Sequence, residues 1–79
     1  MFEVDVKALR KAMIDQGFIT LNDLSSVSGI NRNTLSQVLR ERTYPSSAVI
    51  DKLIRVLHLT GEEAGRIFLE WKPDEEEFS

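Results

Sequence analysis

The sequence predicts an all-α fold, a compact bundle of five short helices. Apolar residues recur at helical steps of three and four, and each such stretch follows a residue whose side-chain oxygen can accept a backbone N–H. No stretch alternates apolar and polar residues long enough to make a strand. Phe2, Val4 and Val6 do alternate, but so few apolar residues at a terminus read as packing aids. At 79 residues there is room for one small core and none for a second domain or a large substrate cleft.

Asp5 caps the first helix, expected over residues 6–16. Val4 and Leu9 form its hydrophobic staple, Val6, Leu9 and Met13 share a face, and Gly17 supplies a left-handed stop. Thr20 caps the second helix, with Ile19 and Leu24 as staple and Asp23 in the first turn, where a carboxylate favours the helix dipole. That helix ends at Gly29. Asn31 caps the third, stapled by Ile30 and Leu35; Leu35, Val38 and Leu39 form its apolar stripe. Its other face shows Arg32, Asn33, Ser36, Gln37 and Arg40.

Tyr44-Pro45 interrupts the pattern, because proline pushes the residue before it out of the helical region. Ser46 or Ser47 then caps a fourth helix with the stripe Val49, Ile50, Leu53, Ile54 and Leu57. Thr60-Gly61-Glu62-Glu63 is a capping box that opens a fifth. Ala64, Ile67, Phe68 and Trp71 follow at helical spacing, and Pro73 marks the expected end. Residues 1–72 are thus expected to form the folded domain, and residues 73–79, PDEEEFS, an acidic solvated tail.

The chain has no cysteine, so it can build neither a disulfide framework nor a thiolate zinc site, and a cytoplasmic location is expected. No apolar run approaches the roughly 18 residues of a membrane span, and the start MFEVDVK lacks the basic-then-apolar order of a signal peptide. With a single histidine, no glycine-rich phosphate loop and no ligand pair at metal spacing, no catalysis, metal or cofactor is expected. His58 falls at the end of the fourth helix, where a cation is favoured.

The net charge of −3 is unevenly spread. Without Asp74, Glu75, Glu76 and Glu77, nine acidic residues face ten basic ones, a balance of +1. Within residues 31–42, Arg32, Arg40 and Arg42 oppose Glu41, a balance of +2. Binding to a polyanion depends on local potential more than on the chain total, so overall acidity weakens phosphate affinity without excluding it.

The segment LNDLSSVSGINRNTLSQVLR, residues 21–40, sets two short helices about a turn on Gly29. Such a turn needs a residue with positive φ, and a small side chain where the helices cross; Gly29 and Ser25 occupy those places. This is a helix-turn-helix pattern. Through Leu24, Ser25, Gly29-Ile30-Asn31, Thr34-Leu35-Ser36, Val38, Pro45-Ser46 and the Leu57-His58-Leu59-Thr60 junction, residues 9–69 resemble the lambda repressor and Cro-like family, also called the xenobiotic response element family. The short length and the EEAGRIF ending are also similar to small regulators of Gram-positive bacteria and their temperate phages.

The resemblance implies a sequence-specific regulator of repressor or Cro-like type. Its third helix would lie in the major groove of a double-stranded DNA operator. Arg32, Asn33 and Gln37 would read bases, Ser36 a close base edge or a phosphate, and Arg40 the backbone. Asn31 could meet a phosphate, although capping alone accounts for it. Without the motif, the same polar residues would be only a solvated face. Lys7, Arg10 and Lys11 on the first helix read as such a face, with phosphate contact the sharper alternative.

The chain departs from the family at Leu21, where glutamine is frequent, and at Val27, where a polar residue is common. Packed, they would rest on Ile14 or Phe18; exposed, they would suit a protein partner better than phosphates. Phe68 and Trp71 are expected to close the core over the first and fourth helices, the alternative being a homodimer seam. These features define a second reading, a modulator or antirepressor that docks on a partner repressor and changes its operator occupancy. The tail reads as solubilising, with a fold over the basic surface, anchored by Phe78, as the sharper alternative.

Overall fold

The computed structural model describes residues 4–68. It contains α1 (Val6–Asp15), α2 (Leu21–Ser28), α3 (Arg32–Leu39), α4 (Ser47–Val56) and α5 (Gly61–Ile67). The expected cap stands at every start. The Asp5 carboxylate accepts the Ala8 N–H at 3.1 Å, Thr20 Oγ1 that of Asp23 at 3.2 Å, and Asn31 Oδ1 that of Asn33 at 2.7 Å. Ser46, rather than Ser47, caps α4 by accepting the Val49 N–H at 3.3 Å. At α5 the capping box is complete: Thr60 Oγ1 accepts from the Glu63 N–H at 3.1 Å and Glu63 Oε1 from the Thr60 N–H at 2.8 Å. Each cap contributes about 1 kcal/mol, against the roughly 3–5 kcal/mol that the core of so small a domain supplies.

Three helices end in the same way. After α1, the Gly17 and Phe18 N–H groups bond the carbonyls of Ile14 (2.9 Å) and Met13 (2.8 Å). After α3, Glu41 and Arg42 bond Val38 (3.0 Å) and Gln37 (2.9 Å); after α4, His58 and Leu59 bond Arg55 (3.4 Å) and Ile54 (3.0 Å). These are Schellman closures, which place one residue in the left-handed region. Glycine takes that place once; Glu41 at φ 58° and His58 at φ 54° take it in the others.

The helices close over one core. Leu9, Met13, Leu24, Ile30, Leu35, Val38, Leu39, Ile50, Leu53, Leu57, Ala64, Ile67 and Phe68 are buried in a single cluster, and no polar or charged residue is buried among the described residues. α2 packs on α3 and α4, while α5 packs on α1.

Two expectations change at the chain's ends. The apolar spacing carried the fifth helix past Trp71 to Pro73, yet α5 ends at Ile67 and Phe68 leaves it at φ −109°, ψ 86°. Phe68 forms an isolated antiparallel bridge with Val4, and the Asp5 N–H donates to the Ile67 carbonyl at 2.8 Å. Pairing with the N-terminal segment, together with complete burial of the Phe68 ring, outweighs one more helical turn. Val4 therefore packs, as expected, and also pairs. Phe2, Trp71, Pro73 and the acidic tail lie outside the described residues, as does the expected boundary between residues 72 and 73.

His58 is exposed and left-handed, a conformation that costs a side-chain-bearing residue about 1 kcal/mol relative to glycine. His58→Gly should raise the melting temperature by about 4–8 °C, read by thermal unfolding; a fall would show that the imidazole contributes more than the backbone loses. At α5, the Thr60 N–H holds the Glu63 carboxyl below its ordinary value near 4.5. A lowered folded pKa stabilises above the ordinary value and stops doing so as pH falls through the folded one. The melting-temperature advantage of the natural chain over Glu63→Gln should therefore hold at pH 7 and fade below about pH 4.5, by a small amount because the group is fully exposed.

Candidate nucleic-acid interface

Ile30 joins α2 to α3 and is held on every side. Gly29 precedes it at φ 75°, returning its N–H to the Ser25 carbonyl at 3.0 Å. The Ser28 hydroxyl oxygen accepts the Ile30 N–H at 3.1 Å, and the Ser25 hydroxyl donates to the Ile30 carbonyl at 2.6 Å. The Ile30 side chain is buried, and Asn31 then caps α3. Sequence spacing predicts only a close helix crossing at Ser25. Its hydroxyl is also the brace, and Ser28, which the spacing did not single out, is the second. A serine one residue before the turn glycine was the available signal.

This turn fixes which face of α3 points outward. Leu35, Val38 and Leu39 are buried, whereas Asn31, Arg32, Asn33 and Arg40 are exposed and Ser36 and Gln37 half-buried. Arg32, Ser36 and Arg40 succeed one another at four-residue steps and so form one row; Asn33 and Gln37 form the next. Arg32, Asn33, Ser36 and Arg40 line a shallow concavity together with Leu21 from the start of α2. Gln37 is not among its lining residues. Asn31 carries the capping role expected of it, with Oδ1 engaged by Asn33.

The remaining candidates separate. Of the two alternatives for Val27 the exposed one holds: it is 64% exposed, and Ile14 and Ile19 stand out at 66% and 81%. Leu21 is half-buried against the core. Phe68 is fully buried in the core, as its leading reading expects, so its side chain offers no exposed surface for the alternative role at a partner or dimer seam. Trp71 lies outside the described residues. On α1, Lys7, Arg10 and Lys11 are exposed, and Lys11 sits 3.7 Å from Asp15 in a surface pair worth a few tenths of a kcal/mol.

The charge over residues 4–68 is nine basic against seven acidic, a balance of +2, so the acidity of the chain resides at its ends. Among these residues no three His, Cys, Asp or Glu side chains group to hold a metal ion. No helix among them is long and apolar enough to cross a membrane.

Two short helices locked about a left-handed glycine, the second presenting polar and cationic side chains, define a helix-turn-helix DNA-binding domain. The model of the Cro/C1-type HTH DNA-binding domain matches residues 8–66, and the chain belongs to that family. No curated protein and no solved structure gives a significant match.

Removing the Ser25 hydroxyl leaves the half-buried Ile30 carbonyl without its donor. Ser25→Ala should lower the unfolding free energy by about 1–2 kcal/mol in urea titration. An unchanged midpoint would show that water replaces the brace.

Proposed function

We propose that the chain is a sequence-specific regulator of transcription, of repressor or Cro-like kind, which lays α3 in the major groove of a double-stranded promoter operator. The observation that carries this reading is the gathering of Arg32, Asn33, Ser36 and Arg40 about one concavity on the outward face of α3. Arginine suits the acceptor pair on guanine, while asparagine and glutamine suit the acceptor–donor pair on adenine. Arg32 and Asn33, in the first turn, and Gln37, one turn on, take the base-reading roles. Ser36 reaches only a near base edge or phosphate, and Arg40, at the far end, takes the backbone. Asn31 offers a phosphate what remains of its side chain after capping.

A domain this small makes few contacts, so two copies on a two-fold operator, with half-sites about 34 Å apart, complete the reading. Phe68 has no part in joining them.

A second reading has one observation in its favour. Val27, on α2, presents an aliphatic side chain that is 64% exposed, where a phosphate-facing surface has no use for one. A partner repressor docking there would make the chain a modulator or antirepressor.

Fluorescence anisotropy with the chain's own upstream DNA and with random DNA, at two salt concentrations, tests both readings. Selective, salt-dependent binding by the protein alone supports the first; selectivity that changes only with the adjacent gene product supports the second. Arg32→Ala and Gln37→Ala should each relax preference at single base positions by about 1–3 kcal/mol, whereas Arg40→Ala should weaken all sequences alike. Equal losses on specific and random DNA for all of them would overturn the assignment of roles.

A further inference from the structure

We propose that Leu21 is a specificity-determining residue, whose side chain reads the C5-methyl group of a thymine in the operator. This rests on the DNA-binding reading of α3 and deepens it. Leu21 lines the concavity with Arg32, Asn33, Ser36 and Arg40, and it is the one apolar side chain among these lining residues. It is half-buried and packs against the core, so part of the side chain is anchored while the concavity receives the rest.

Its position relative to α3 is stiff. Leu21 is the first residue of α2, directly after the Thr20 cap, and α2 is tied to the start of α3 through Ser25 and Ser28. Leucine has no hydrogen-bonding group, so it adds nothing to recognition of a phosphate or of a donor–acceptor edge. The one apolar group on the base edges of the major groove is the thymine methyl. A leucine fixed beside polar side chains that face base edges is therefore complementary to a thymine next to the pairs that Arg32 and Asn33 meet.

Two other roles make different predictions. A leucine that only completes the core affects stability without regard to the base opposite, and one resting on a deoxyribose affects all sequences alike.

The test begins with a site enriched by the full chain from a random duplex pool. Each thymine in that site is then replaced singly by deoxyuridine, which removes the methyl group and nothing else, and affinities are measured at a temperature where thermal melts show every variant folded. The natural chain should lose about fourfold at one thymine of each half-site, the equivalent of uncovering one methyl-sized group. Leu21→Ala should bind the thymine and uracil sites equally. Should Leu21→Ala fail to fold, Leu21→Gln, of similar length and at a half-exposed position, carries the test with the same expected loss of methyl sensitivity.

If no thymine responds, or if the responsive one stays responsive in the Leu21 variants, the proposal is overturned. Arg32→Ala separates this from failure of the wider reading. A site that is enriched and weakened by Arg32→Ala but indifferent to methyl removal defeats the Leu21 role alone. Failure to enrich any sequence defeats both.

Discussion

Ile30 is a hydrophobic side chain with a fully employed backbone, and the direction of α3 follows from how it is held. Burial of an isoleucine side chain contributes about 1.5–3 kcal/mol, and each hydroxyl bond to its backbone about 0.5–1.5 kcal/mol. If the bonds were not made, the partly buried N–H and carbonyl would each cost about 1–3 kcal/mol, so the turn has little freedom to open. Gly29 at φ 75° reverses the chain before Ile30, and the Asn31 cap begins the next helix after it. The angle between α2 and α3 is thus set by three adjacent residues and two serines, before any contact with the remaining helices.

Everything outward follows from that angle. Once Leu35, Val38 and Leu39 are committed to the core, Arg32, Ser36 and Arg40 have one direction left to point. α4 packs on α2 and carries Leu53, one of the most deeply buried residues, while α1 and α5 pack on each other. The pairing of Val4 with Phe68 ties the two ends of the described chain together at the α1–α5 side. Arg32, Asn33 and Arg40 can therefore vary without disturbing the core, since they are exposed.

What was legible in the sequence was local chemistry. Asp5, Thr20, Asn31, Ser46 and Thr60 each announce a helix through an oxygen that must reach only two or three residues ahead. Gly29 announces the turn because only its conformational range is needed there. Helix ends without glycine were not legible. Glu41 and His58 occupy left-handed positions that their side chains do not advertise; after α4 the nearest signal was Leu59, a half-buried apolar residue packed on the core just past the closure. The end of α5 departs from the apolar spacing for a different reason. Ala64, Ile67, Phe68 and Trp71 keep helical spacing, but the partner that draws Phe68 out of the helix lies more than sixty residues away, at Val4. In the site, the outward row of α3 followed from its apolar stripe. The exposure of Val27 did not, because spacing on a two-turn helix leaves the apolar residues nearest its edge undetermined.

The electrostatics give this face its character. A balance of +2 over residues 4–68 is small for a surface meeting a polyanion, and two of the nine cations, Lys11 and Arg66, already sit within 3.8 Å of a carboxylate. Sequence-independent affinity grows with the number of phosphates neutralised, so a small net positive charge contributes little to it. Discrimination depends on the ratio of specific to random binding rather than on either alone. A modest positive charge lowers the denominator of that ratio. It also shifts the burden of recognition onto contacts that sense base identity. On the proposed reading those contacts are the side chains that α3 and the first residue of α2 gather about one concavity, and the turn at Ile30 sets how the two elements stand to each other.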